Sequence, residues 1–297
     1  MTVLPIATAK TSFRRYLSCL RLQDILVLQG SPLLGAALAI HHPGARNVGA
    51  LAALLAGNVL LMTHVFMLND WSGLTADLQD PNKAAGVFTA RGVGRKEIRG
   101  LTAALLVSSL LFFSRLGPMT LALALAIATL SALYSLPQFN WKGRPLLNSA
   151  VHLTGGILHF LLGYSLGRTI DRRGLATAAF FALIFAAGHL TQEVRDFQAD
   201  AVNGIHTNAV IFGPRRTFAA SLVAFAMAQI LFFLLALQGI LPRPLAAIVV
   251  LYAIQLHWSL ETLRDGLPYA SVSRLQVRYR MLYAFVGAAV VAMLYRA

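Results

Sequence analysis

The sequence predicts an all-α integral membrane protein with nine transmembrane helices, and three observations carry that prediction. Of 297 residues, 57% are hydrophobic and 12% charged, whereas an ordinary soluble domain is about half apolar and about one quarter charged. Core volume does not grow fast enough with chain length to hide such an excess from water. Nine largely apolar runs have the length a helix needs to cross about 30 Å of hydrocarbon, roughly 17–25 residues. None alternates with the period of two that marks a membrane β-strand, and all are too long for barrel strands. Helices also satisfy their own backbone hydrogen bonds, which lipid cannot do for them. The same composition excludes a disordered chain, and the single cysteine, Cys19, excludes a disulfide scaffold.

Taken in order, the first run, 23–40, follows a basic N-terminal segment, 1–22, carrying Lys10, Arg14, Arg15 and Arg21. Its length and long polar lead are not those of a cleavable signal peptide. Arg46 separates it from the second run, 48–68. A polar segment, 69–99, with Lys83, Arg91, Arg95, Lys96 and Arg99, leads into 100–116. Arg115, Gly117 and Pro118 divide that run from 119–137, and a short loop with Lys142 and Arg144 precedes 148–167. Arg168, Arg172 and Arg173 mark the turn into 175–191, and Arg195, Arg215 and Arg216 lie before 218–238. Arg243 precedes 244–262, and Arg264, Arg274, Arg278 and Arg280 lead to the last run, 280–296.

Alternate connections hold most of the 25 basic residues, and the positive-inside rule makes those connections cytoplasmic. The N-terminus then lies inside and the C-terminus outside, as an odd number of spans requires; the Arg168–Arg173 turn is the exception. A net charge of +14 does not point to nucleic acid here, because the cations are spread between apolar runs. No separate soluble domain fits, so 1–297 reads as one transmembrane domain, with 1–22 its cytoplasmic N-terminal segment.

The eleven acidic residues are the more informative charges. Six fall in two short segments on the expected cytoplasmic side: Asp70, Asp77 and Asp80 after the second run, and Glu193, Asp196 and Asp200 after the sixth. Asp70 and Asp77 share a face if the second helix continues, and Glu193, Asp196 and Asp200 follow the i, i+3, i+7 spacing of one helical face. Carboxylates aligned in this way repel, so a positive group belongs between them. Two facing sets of hard oxygen ligands suit Mg²⁺, which commonly bridges carboxylates to substrate phosphates. Solvated loop acids are the competing reading, but two clusters at helical spacing in so acid-poor a chain weigh against it.

The segments Asn69-Asp70-Trp71-Ser72-Gly73-Leu74-Thr75-Ala76-Asp77 and Glu193-Val194-Arg195-Asp196-Phe197-Gln198-Ala199-Asp200 resemble the two aspartate-rich motifs, NDxxDxxxD and DxxDxxxD, of the UbiA superfamily of intramembrane prenyltransferases. Asn203-Gly204-Ile205-His206-Thr207 through Phe212-Gly213 continues in the family's manner. So do Tyr134-Ser135-Leu136-Pro137 with Lys142-Gly143-Arg144-Pro145 and Asn148, and Arg21-Leu22 leading into Pro32-Leu33-Leu34-Gly35. The resemblance implies a ring of nine helices around a central cavity, with Mg²⁺ clamping the diphosphate of an isoprenyl donor. Asn69, Asp70, Asp77, Glu193, Asp196 and Asp200 are the implied metal ligands. Asn69, Lys83, Arg91, Lys142 and Arg144 are the candidate diphosphate contacts. Asp70, Asp77, Asp196, Asp200 and Tyr134 are the candidate catalytic residues, Tyr134 through its aromatic face, which can stabilise a carbocation. Arg21, His64, Asn148 and His159 are candidates for the acceptor pocket, although a packed or hydrogen-bonded role competes for His64, and His159 lies in the membrane, where polar side chains default to the bundle interior and often to function.

Three departures qualify the likeness. Where the family continues its first motif with Arg-Pro and a small-residue turn to Gly, this chain has Asp80-Pro81-Asn82-Lys83 through Arg91-Gly92, with Lys83 or Arg91 the candidate replacement for the lost cation. Gly73 stands where the first motif usually has its middle Asp, and Glu193 replaces the usual first Asp of the second. The expected activity is transfer of an isoprenyl group from its diphosphate to an aromatic or lipophilic acceptor, by a multi-pass protein whose active-site mouth is cytoplasmic; in a bacterium the membrane is the cytoplasmic one. The alternative is a terpene cyclase of the same architecture, in which the donor's own double bond quenches the cation. A transporter is disfavoured because the acids follow helix ends instead of lying at the midplane. No HExxH spacing or GxxxxGK[ST] loop offers other chemistry.

Overall fold

The computed structural model describes residues 10–40 and 45–295; residues 1–9 of the basic N-terminal segment, and Arg296, lie outside the described residues. Among those described there is no strand. Twelve α-helices follow one another: α1 Lys10–Ser18, α2 Leu22–Val27, α3 Gly30–Ala39, α4 Ala45–Gln79, α5 Arg95–Leu116, α6 Pro118–Ser135, α7 Leu147–Tyr164, α8 Arg172–Val202, α9 Asn208–Phe212, α10 Pro214–Leu237, α11 Leu251–Arg264 and α12 Tyr269–Leu294.

Eight stretches among the described residues are long and apolar enough to cross a membrane, one fewer than the nine runs. The difference falls at α7. It is 18 residues long, but Asn148, Ser149, His152, Thr154 and His159 dilute its apolar character. The first run is not one straight helix: α2 and α3 meet at a break around Leu28 and Gln29. The run 244–262 opens as a 3-10 stretch, Arg243–Val250, before α11.

Two helices outlast the apolar runs that announce them. α4 continues from 68 to Gln79 and α8 from 191 to Val202, so the acidic motifs lie on helices and not in loops after them. Polar side chains do not interrupt the i to i−4 hydrogen-bond ladder; proline does, and α4 stops just before Pro81. There the Asp80 carboxylate accepts the Asn82 N–H at 2.9 Å, which turns the chain away.

Consecutive long helices pack side by side from α4 through α8 and on to α10 and α11, while α3 crosses to α7 and α12 packs against both α8 and α3. The α3–α7 crossing needs glycine. A Cβ on Gly163 would meet the Pro32 carbonyl oxygen, and one on Gly35 the Phe160 carbonyl oxygen. Small residues let membrane helices approach this closely. On the opposite face of α10, Val223, Met227, Ile230, Leu234 and Leu237 are exposed at alternating four- and three-residue spacing, the stripe expected of a lipid-facing surface.

Several buried polar groups tie the bundle together away from the acids. His159 Nε2 lies 2.9 Å from Asn58 Oδ1, and Asn58 donates to Gln29 Oε1 at 2.9 Å. His64 Nδ1 lies 2.9 Å from the Thr102 carbonyl of α5. Both histidines named as pocket candidates thus bond to a neighbouring helix. Cys19 is a free thiol that donates to the Arg15 carbonyl at 3.3 Å.

Candidate active site

The two acidic motifs meet at one end of the bundle. α4 brings Asn69 and Asp77, α8 brings Glu193, Asp196 and Asp200, and together they line a small polar cavity of about 60 Å³. Arg21, Lys83, Lys142 and Arg195 enter the same space, with Tyr134 from the end of α6 and His189, Gln192 and Thr207 completing the wall. Asp70 and Asp80 stand at its edge, each in an ion pair with one of those cations. Six carboxyl groups thus face four cations.

The join between the motifs is Lys83. Its Nζ lies 3.0 Å from Asp196 Oδ2, 3.6 Å from Asp80 Oδ2 and 3.9 Å from Asp77 Oδ1. Lys83 and Asp196 are 113 residues apart in the chain. Burial works against the ammonium charge, but Asp196 with its hydrogen bond, then Asp77 and Asp80, outweigh burial and push the Lys83 pKa up. Asp196 is gripped from its other side by Arg195, Nε to Oδ1 at 2.7 Å and Nη2 to Oδ2 at 3.0 Å. Arg195 is itself anchored on Gln276 Oε1 at 2.8 Å. Asp70 pairs with Arg21 at 3.1 Å, whose guanidinium lies over the Phe66 ring, 5.5 Å from its centroid.

Glu193, implied as a metal ligand, lines the cavity but has both oxygens engaged by protein donors. Oε1 accepts from Asn148 Nδ2 at 2.5 Å and Asn208 Nδ2 at 3.1 Å, and Oε2 accepts from the Ala209 N–H at 3.3 Å. His189 Nε2 stands 2.8 Å from Oε1. Asn208 also accepts the Leu146 N–H at 2.8 Å, holding a leucine at φ 63, a left-handed backbone that side chains rarely adopt. That contact and the bond from Asn148 to the Lys142 carbonyl, 3.3 Å, fix the loop that presents Lys142.

Tyr134 meets His152 edge to face at 5.2 Å, and His152 stacks on His189 with centroids 3.5 Å apart. His189, Gln192, Arg195, Thr207 and Asn208 were not singled out by the sequence reading. The helical repeat was the available signal for the first two, since Gln192 precedes the motif directly and His189 lies one turn before Glu193. Two expected cations are not in the chamber: Arg144 is exposed, and neither it nor Arg91 lines the cavity. The Arg91 guanidinium packs instead over Gly86, in the loop's own fold. Among the described residues, no three His, Cys, Asp or Glu side chains stand close enough to hold one ion by themselves.

A multi-helix membrane protein with two acidic helix ends converging on a chamber that also holds four cations is the class that this fold and site define. The chain belongs to the UbiA prenyltransferase family, whose model matches residues 31–294. Among solved structures it is similar to a UbiA homologue from Archaeoglobus fulgidus, with a TM-score of 0.74, 16% identity, and 95% of this chain and all of that one covered. The same homologue bound to GPP and Mg²⁺ gives 0.73 and 18%, covering 94% of this chain and 99% of that one. A digeranylgeranylglyceryl phosphate synthase gives 0.71 and 15%, covering 96% and 99%. No curated protein matches the chain.

Proposed function

We propose that the protein is a Mg²⁺-dependent intramembrane prenyltransferase that moves an isoprenyl group from its diphosphate to an aromatic or lipophilic acceptor. What carries the reading is the convergence of the two acidic motifs on one cation, Lys83, in a chain of this family. Homologues of the same fold bound to GPP with Mg²⁺ and to DMAPP with Mg²⁺ support the donor and the metal. The donor set fits Mg²⁺: it is made of hard oxygens, and one or two carboxylates with phosphate oxygens and waters suffice for that ion. Asp77, Asp196 and Asp200, with Asn69, would hold it, and Asp70 would keep Arg21 at the cavity. When bound, it would neutralise charge that develops on the leaving diphosphate.

The protein's own groups do the remainder. Lys83, Lys142 and Arg21 provide charge-assisted hydrogen bonds to phosphate oxygens. As the allylic C1–O bond breaks, its electron pair leaves with the diphosphate, and these cations stabilise that charge in a site needing little reorganisation. The face of Tyr134 stabilises the positive carbon, and the buried surroundings limit its capture by water. The acceptor's nucleophilic atom then forms the new bond to C1 and releases its proton to solvent, so that prenylated acceptor, pyrophosphate and one proton are the products. Residues 1–297 act as one transmembrane domain, with α7 as the ninth span and the chamber on the cytoplasmic side.

The test is product analysis. Purified protein in nanodiscs is given Mg²⁺ and geranyl, farnesyl or geranylgeranyl diphosphate, with and without pooled membrane lipids and quinone precursors. Prenylated acceptor with stoichiometric pyrophosphate supports the reading. Cyclic hydrocarbon or alcohol formed without an acceptor identifies a cyclase instead, and no consumption of any donor overturns both.

A further inference from the structure

We infer that this chamber works with a single divalent ion, the Lys83 ammonium supplying the second positive charge. The inference rests on the metal-diphosphate reading above and departs from the resemblance, in which each acidic motif offers its own metal ligands. Three observations support it. The first motif lacks its middle carboxylate: Gly73 stands there, and a Cβ at that position would lie 3.6 Å from Asp77 Oδ2, so an acid would have been accommodated beside Asp77. The second motif has lost its first ligand in another way. The longer arm of Glu193 carries its carboxylate to Asn148, Asn208 and the Ala209 N–H, where both oxygens are taken. Finally, the space between the motifs is bridged by Lys83, within 4 Å of Asp77, Asp80 and Asp196.

The chemistry of the donor set agrees. Among the described residues no three acids stand close enough to hold an ion by themselves, Asp70 is paired with Arg21, and Asp196 is shared between Arg195 and Lys83. Mg²⁺ needs one or two carboxylates alongside phosphate oxygens and waters, and Asp77, Asp196 and Asp200 with Asn69 meet that need once. A second ion would have to displace an ammonium tethered to the backbone, which pays no translational cost for being there. Lys83 is thus a resident countercharge that joins the motifs before a donor arrives and turns to the diphosphate afterwards.

The experiment counts ions without turnover. Full-length protein in detergent is equilibrated with Mn²⁺ and inorganic pyrophosphate, and bound Mn²⁺ per chain is measured by electron paramagnetic resonance and calorimetry. One ion per chain is expected, and two would overturn the inference while leaving the parent reading intact. No Mn²⁺ bound at millimolar concentration would instead sink the parent reading. With Mn²⁺ saturating, Lys83→Met is expected to weaken pyrophosphate about 10- to 100-fold, the loss of one strong charge-assisted contact, and Lys83→Arg to restore most of it. An unchanged pyrophosphate affinity in a folded Lys83→Met protein would also overturn the inference.

Discussion

Glu193→Gln separates two roles for one buried acid. The substitution keeps the side chain's size and removes its charge. Glu193 is 3% exposed, and three donors, two from asparagines and one from the backbone, meet its two oxygens. Glutamine offers one acceptor oxygen and an NH₂, so in either flip a donor faces a donor. Hydrogen bonds to charged groups contribute about 1.5–3 kcal/mol and an unpaired buried donor costs about 1–3, so a destabilisation of about 2–3 kcal/mol is expected. Asn208 and Asn148 both hold the Lys142 loop, so the disturbance passes to Lys142, the proposed diphosphate contact. Thermal unfolding in detergent, together with pyrophosphate release titrated separately against donor and Mg²⁺, reads the outcome. The midpoint should fall and the donor KM should rise about tenfold, one broken contact's worth, with the Mg²⁺ dependence unchanged. A raised Mg²⁺ requirement at constant donor KM would make Glu193 a metal ligand and refute the reasoning.

Asp196→Ala should cut pyrophosphate release by at least about 100-fold, the scale of losing a preorganised electrostatic group, while the protein still elutes as a folded species in detergent; near-normal turnover at saturating Mg²⁺ would contradict the clamp. Asp70→Ala is expected to act in the same direction in the same assay. Gly163→Val should destabilise the protein by about 3 kcal/mol or more, beyond usual overpacking, because the added carbons meet the backbone of Pro32; thermal unfolding checks this, and an unaltered midpoint would mean α3 and α7 do not pack here. For Lys83, the pKa is raised above its ordinary 10.5, so the stability from its ion pairs is fully present below that value and is lost as pH rises through the folded one. The difference in unfolding midpoint between wild type and Lys83→Met should therefore stay flat from about pH 7 to 9, and a difference that collapses within that window would show that Lys83 deprotonates there.

The membrane class was legible because hydrocarbon imposes one requirement, about twenty apolar residues per crossing, that a linear scan can measure. Helix ends were less legible. α4 and α8 run on through their acidic motifs because a helix needs neither apolar side chains nor lipid to continue, only free N–H groups and no proline. α7 was a run by length but falls short of a fully apolar span, since His152 and Asn148 turn toward Tyr134 and Glu193.

The sequence by itself determined the helical membrane class and the two acidic faces, because each is written at short range in composition and i, i+3, i+7 spacing, and the motifs it carries resemble those of the family. Which charges meet was decided by the tertiary structure. Asp196 and Lys83 become neighbours only when α4 and α8 pack within one bundle, and Glu193 finds its partners only because Asn148 and Asn208 come from other elements. Arg91 and Arg144 look equally suited in the sequence, yet neither lines the chamber. Charge type is a local property of a chain; charge pairing depends on distances that only folding sets.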